Sequence, residues 1–295
     1  MRKKKGVITD GLWIRCEACK GSVYKKAMEE RLDVCPECNH HFRIPARKRV
    51  QITLDEGSFE ELWADMRPVD PIEFTDRIGY KERVTKEQEK TGLKEAIIIG
   101  LGRIGNKQVI FGVTDSNFIM GSMGSVMGEK IARAAEKAAE TGLPLIIVSG
   151  SGGGARMQEG MFSLMQMAKT NAAIARLHEA GGIFISVLTD PTMGGVMASY
   201  ASQGDIIMAE PGALIGFAGP RVIQQTIKKT LPPDFQSAEF LLEHGFLDMI
   251  VSRQDLKKEL TRIIAYLNGP VVETAKEETE ETVEQQADST VDSDG

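Results

Sequence analysis

From Gly92 onward, apolar runs of β type recur between stretches with helical spacing. The runs are AIIIGLGRI (96–104), QVIFGVTDSNF (108–118), LPLIIVSG (143–150), GIFISVLTD (182–190), DIIMAEPGALIGF (205–217) and DMIVS (248–252). Between them, SVMGEKIARAAEKAAETG stops at Gly142, in the glycine position that closes many helices. GMFSLMQMAKTNAAIARLHEAGG carries apolar residues at helical spacing and stops at Gly181 and Gly182. VMASYASQG, PRVIQQTIKKTL and DLKKELTRIIAYLNG continue the alternation. Strands alternating with helices predict an α/β fold. Residues 46–91 lack this regularity. They mix charges with isolated apolar positions and prolines, as in RPVDPIEF, and read as a helical connector. Residues 271–295 hold almost no apolar side chains and are expected to be a disordered acidic tail.

Composition changes this picture little. The 295 residues are 42% hydrophobic and 26% charged, the balance of a soluble globular chain. The net charge of −6 conceals an asymmetry. Residues 1–50 carry thirteen Lys and Arg against six Asp and Glu, while residues 273–295 carry nine acids and one lysine. No apolar run reaches the roughly 18 residues needed to span a bilayer. The basic start MRKKKGVITDGLWIRC is followed by no apolar segment of a secretory signal. A cytoplasmic protein with no membrane partner is expected.

The four cysteines form two C-x2-C pairs, CEAC at Cys16 and Cys19 and CPEC at Cys35 and Cys38, fifteen residues apart. This is the spacing of a structural zinc site, in which two knuckles face one ion and four thiolates close a tetrahedral shell. Disulfides are disfavoured in a reducing compartment, and a redox C-x2-C does not normally occur twice at this spacing. One Zn2+ per chain is expected on Cys16, Cys19, Cys35 and Cys38. His40 and His41 are expected at the ribbon surface, since four thiolates suffice.

Two glycine clusters follow β runs: SGGGARMQEG (151–160) and TDPTMGGVMASYA (189–201). Neither fits a phosphate loop of the form G-x4-G-K-[ST] or a dinucleotide fingerprint. Ser151 lies in S-G-S-G-G, which lacks the first glycine of a serine-hydrolase elbow. The histidines outside the ribbon, His178 and His244, lie in helical contexts. Two strand ends delivering glycine amides at helix N-termini suit an oxygen that gains negative charge, such as a thioester enolate. No lysine accompanies either cluster, which argues against a polyphosphate. The structural alternative is close packing of strand against helix.

SGGGARMQEG, DPTMGGVMASYA, GDIIMAEPGALIGFAGPRVIQQT and HGFLDMIV closely resemble the N-terminal carboxyltransferase domain of acyl-CoA carboxylases. With a four-cysteine ribbon ahead of it, the chain is similar to the β subunits of bacterial and plastid acetyl-CoA carboxylase carboxyltransferases over roughly residues 10–268. The resemblance implies a crotonase-like spiral of ββα units at residues 92–270, behind a ribbon at 1–45 and the connector. It implies transfer of a carboxyl group from carboxybiotin on a carrier protein to acetyl-CoA, giving malonyl-CoA for fatty-acid synthesis. It implies a separate carboxyltransferase α subunit in an α2β2 assembly, working with biotin carboxylase and biotin carboxyl carrier protein in an ATP-dependent complex. On this reading Gly194 and Gly195 form the oxyanion hole. Gly153, Gly154 and Ala155 line the same cavity, and Arg156 pairs either with a CoA phosphate or with Glu159.

Two other readings remain. The basic N-terminus, with Arg43, Arg47, Lys48 and Arg49 after the metal site, suits electrostatic binding of RNA or DNA, alone or as a secondary activity. A crotonase-type hydratase or CoA hydrolase would need an acid in the cavity, such as Glu159.

Overall fold

The computed structural model describes residues 12–267, so the acidic tail lies outside the described residues. The ribbon opens with a hairpin of β1 (Trp13–Arg15) and β2 (Ser22–Tyr24), followed by α1 (Lys25–Glu30). So short a hairpin buries little: among the described residues its core is Cys16, Val23, Met28 and Cys35, with Ile14 and Phe42 packed beside them. Next come α2 (Ala46–Thr53), β3 (Glu60–Leu62) and α3 (Tyr80–Thr91). The main body holds β4 (Ile97–Ile104), β5 (Lys107–Thr114), α4 (Ser125–Thr141), β6 (Leu145–Ser151) and α5 (Met161–Glu179). It continues with β7 (Phe184–Met193), α6 (Gly194–Met197), β8 (Ile206–Ala209), β9 (Ile215–Gly216), α7 (Pro220–Ile227), α8 (Ala238–Glu243), β10 (Met249–Ile250) and α9 (Arg253–Leu267).

One eight-stranded sheet runs in the order β10-β8-β7-β6-β5-β4-β3, with β9 added on β7. The pairs β3–β4 and β4–β5 are antiparallel. From β5 to β10 the pairing is parallel. Parallel strands covered on both faces read as continuous apolar runs rather than alternating ones. LIIVSGS of β6 is buried at every position. The β4–β5 hairpin and α4 make one ββα unit. In the later turns of the spiral the second strand shrinks to the single bridge Met123–Ala155 and to the pairing of Thr192 and Met193 with β9.

The structure departs from the expected elements in four places. Residues 46–91 are no detached connector: β3 is an edge strand of the sheet, and Ala46, Val50, Leu54, Tyr80 and Val84 belong to the main core. The run 205–217 is two strands, broken where Glu210, Pro211 and Gly212 turn the chain. The helix expected at 196–204 is one turn of α6 and a 3-10 turn, since Ser199 Oγ bonds back to the Gly195 carbonyl at 2.6 Å. The first half of α5 is inverted: Ser163, Gln166 and Thr170 are buried while Met161, Phe162, Leu164 and Met165 are half-exposed or more.

Candidate active site

The C-terminal ends of β6 and β7 lie side by side and deliver the two glycine clusters to one open cleft of about 470 Å³. Residues 152–155, Gly194 and Gly195 line it, with Met120, Pro191, Met193 and Phe217 as apolar walls and Arg43 at its rim. The clusters touch through their backbones: a Cβ placed on Gly154 would stand 2.8 Å from the Gly195 nitrogen, and one on Gly194 would stand 3.0 Å from Gly154 Cα. Both Gly154 (φ +58°) and Gly194 (φ +63°) are left-handed, a conformation open to glycine without strain.

Backbone hydrogen bonds decide which amides are available. Gly194 N–H donates to the Phe217 carbonyl at 3.0 Å, so it is spent in holding β9's exit loop and is no oxyanion donor. Met123 N–H donates to the Gly154 carbonyl (2.7 Å), and Arg156 N–H donates to the Met123 carbonyl (2.9 Å). In this parallel bridge the N–H of the intervening Ala155 points away from Met123. Its nitrogen lies beside Gly195, whose added Cβ would meet it at 3.0 Å. Among the described residues, the amides of Gly153, Gly154, Ala155 and Gly195 donate to no protein acceptor. The Gly195 amide is free because it lies in the first turn of α6, whereas those of Gly153, Gly154 and Ala155 belong to no helix. A 3-10 turn at 157–159 separates residues 152–154 from α5, and α6 is a single turn. The directed N–H groups themselves carry whatever the site does.

Arg156 does not reach the cleft. Its side chain is fully buried, bonded to Glu95 and within 3.5 Å of Glu159, which removes it as a ligand for a CoA phosphate. Burial opposes its charge, but Glu95 and Tyr80 more than offset this and hold the guanidinium protonated. Glu159 is equally enclosed: it accepts from Tyr80 Oη (2.6 Å) and from the Ser125 amide that opens α4 (2.6 Å). It has no free oxygen aimed at a substrate, and the hydratase reading loses its acid. Ser151 Oγ is buried without a partner. His178 meets Asp205 at 3.2 Å and His244 bonds the Phe240 carbonyl at 2.7 Å, so neither serves Ser151 as a base.

In the ribbon, the four cysteine Sγ atoms lie within 4.8 Å of one another. Cys16 and Cys38 stand 3.7 Å apart, close to the edge of a tetrahedron with metal–sulfur bonds of about 2.3 Å. Burial would raise the Cys16 thiol, but amides of Cys19 and Ala18 win and lower it to about 7. Burial and the neighbouring sulfurs push Cys38 up to about 12. A divalent cation relieves that crowding, so the donor set fits zinc. His41 is not a surface residue: it is buried, its Nε2 accepts from the Arg253 amide at 3.2 Å, and burial lowers its pKa.

The basic cluster after the metal site is neutralised. Arg43 pairs with Asp190 (3.1 Å), Arg47 with Glu61 (3.3 Å), Lys48 with Asp33, and buried Arg49 with Glu210 (2.7 Å). These four cations are each held by an acid, which weakens the cluster as an open phosphate-binding face; the basic N-terminal run lies outside the described residues. Sequence reasoning missed Tyr80, Glu95, Glu210 and Arg253. The detectable signal was a lone carboxylate abutting an apolar run, as in KEAIII and IIMAEP.

The fold is that of a carboxyl transferase domain, and that family matches residues 43–292, preceded by an acetyl-CoA carboxylase zinc finger domain at residues 13–38. The chain belongs to the family of acetyl-coenzyme A carboxylase carboxyl transferase beta subunits. It is 56% identical to that subunit of Rhodopirellula baltica over 264 residues, 90% of this chain and 84% of the relative. A fused beta/alpha protein of Natranaerobius thermophilus is 52% identical over 263 residues, which cover 89% of this chain and 43% of that one. Among solved structures, transcarboxylase 12S with hydrolysed methylmalonyl-coenzyme A bound superposes with a TM-score of 0.63 at 25% identity, over 75% of this chain and 41% of that one.

Proposed function

We propose that this chain, a carboxyltransferase by family, moves a carboxyl group from carboxybiotin on a carrier protein to acetyl-CoA, forming malonyl-CoA. The observation that carries this is the convergence of the free Ala155 and Gly195 amides on one cleft with, among the described residues, no acid or base beside them. Carboxybiotin supplies both carbon dioxide and a ureido nitrogen able to accept the methyl proton of the thioester. The chain therefore has to hold and polarise. The amides of Ala155 and Gly195 donate to the thioester oxygen as it gains charge, with Gly153 and Gly154 shaping the approach. Met120, Pro191, Met193 and Phe217 keep water from that oxygen, which strengthens each hydrogen bond.

The cleft is open on one side, and Met157, Met161, Phe162, Leu164 and Met165 stand 50–68% exposed. Apolar side chains grouped this way suit a permanent partner. An α subunit in an α2β2 assembly fits there and brings the biotin half of the site; the fused beta/alpha relative supports this pairing. Biotin carboxylase and the carrier protein complete the complex in the cytoplasm. Carboxyl transfer from malonyl-CoA to free biotin tests the reading: turnover is expected with purified α subunit and not without it. Hydration of crotonyl-CoA or thioester hydrolysis by the chain alone would replace it.

Zinc on Cys16, Cys19, Cys35 and Cys38 is structural on this reading, since four thiolates leave no open position. We expect one zinc per chain by metal analysis. Cys35→Ser is expected to loosen the ribbon and also to lower the melting temperature of the main body, because Arg253 is satisfied by ribbon carbonyls. An unchanged melting temperature in zinc-free protein would remove the metal from the fold's stability.

A further inference from the structure

We infer that Arg156 is a positioning residue for the Ala155 amide, and that Tyr80, Glu95 and Ser122 form the frame that sets it; this rests on the carboxyltransferase reading above. Arg156 directly follows Ala155. Its Nε donates to Ser122 Oγ at 3.2 Å, Nη1 to Tyr80 Oη and to Glu95 Oε2 at 2.9 Å each, and Nη2 to the Ser122 carbonyl at 2.7 Å and to Glu95 Oε1. The Glu95 contact is a two-pronged fork, the most directional form of ion pair. The partners come from three separate segments: the first residue of α3, the residue two before β4, and the loop before α4.

The frame closes on itself through the backbone. Ser122 precedes Met123, and Met123 grips the peptide groups on both sides of Ala155. The guanidinium therefore fixes Ser122, Ser122 carries Met123, and Met123 sets the direction of the Ala155 N–H. A shift at the guanidinium reaches the amide through two residues of fully bonded chain. Tyr80 completes the set: it accepts from Arg156 while donating to Glu159, so Arg156 and the start of α4 share one hydroxyl. Burial and Glu159 push the Tyr80 pKa up, which keeps that hydroxyl protonated and the direction of its hydrogen bond fixed. An ionic network in a dry core is a poor source of net stability, and its best-attested use is to select one geometry over near alternatives. Here the selected geometry is the one that aims a donor into the cleft.

Tyr80→Phe tests this, assayed in the assembled enzyme by carboxyl transfer from malonyl-CoA to biotin. It removes one oxygen and keeps the ring in the core. We expect kcat to fall about tenfold with KM for malonyl-CoA unchanged, as for an interaction felt mainly in the transition state. The pH profile should keep its shape, and the melting temperature should stay close to that of the wild type. Ser122→Ala, which frees Arg156 Nε, should behave alike and stands in if Tyr80→Phe does not fold. Three results would overturn the inference: full kcat in both variants, a raised KM at full kcat, or a displaced pH profile showing that Tyr80 or Glu159 takes part as an acid or base. A wild-type assembly that transfers no carboxyl group would refute the function itself, which is a different outcome from variants that match an active wild type.

Discussion

Gly195→Val is expected to lower kcat for carboxyl transfer by more than about 10²-fold, the loss typical of one oxyanion donor. The reason is local. A Cβ on Gly195 meets the Ala155 nitrogen at 3.0 Å, Met167 Sδ at 3.1 Å and Ala155 Cβ at 3.4 Å. The methionine can give way, but the backbone nitrogen cannot do so without turning the second donor. One substitution thus blocks the approach to both amides, and the branches of valine reach further than Cβ. Gly195 itself has an ordinary backbone conformation, so the effect is one of space rather than of φ; the left-handed partner is Gly194. Gly195→Ala should show a smaller loss in the same direction. Ser151→Ala should cost little, because its buried hydroxyl has no partner to lose. The variants are compared by kcat with the α subunit present, at equal assembly by gel filtration. Loss of turnover in Ser151→Ala with Gly195→Val fully active would establish covalent hydrolase chemistry instead.

What could be read along the chain was whatever depends on near neighbours. The parallel strands announce themselves because β6 is buried at every position and opens with four apolar residues in a row. The ribbon is legible because ligand spacing is a local constraint. Edge strand β3 was not: two of its three residues, EEL, are glutamates, and only its pairing with β4 makes it a strand. The role of each glycine was half legible. The clusters mark the cleft, but whether an amide is free depends on a carbonyl elsewhere, as Phe217 shows for Gly194. Arg156 was half legible for the same reason: of the two alternatives, the nearby Glu159 lies within 3.5 Å, while the CoA phosphate is excluded by Glu95 and Tyr80, 61 and 76 residues away.

The longest-range feature gives the largest expected loss of stability. Glu210 follows β8 and is 2% exposed, yet it is ionised, and two buried arginines explain why. Arg253 Nε and Nη2 donate to its two oxygens at 2.9 and 2.8 Å, and Arg49 Nη1 stands 2.7 Å away. Burial would raise its pKa, but the two guanidinium groups overcome this and lower it to about 2. Arg253 also donates to the carbonyls of Leu32, Asp33 and Phe42, so the carboxylate anchors the side chain that ties the ribbon to the sheet. Glu210→Gln keeps the shape and removes the charge, leaving two buried cations without their counter-ion. Breaking a buried pair in this way costs about 3–5 kcal/mol. We expect a loss of that size in denaturant unfolding, together with faster amide exchange across residues 32–43. The pH dependence has a definite sign. A carboxylate whose folded pKa lies below its unfolded value of about 4.3 gives stability that is complete above that pH and fades as pH falls toward 2. The gap between wild type and Glu210→Gln should therefore be widest near neutrality and should narrow steadily below about pH 4.3. A gap that stayed constant from pH 7 to pH 3 would mean that Glu210 contributes by shape and hydrogen bonding, with its charge irrelevant to how the ribbon is held.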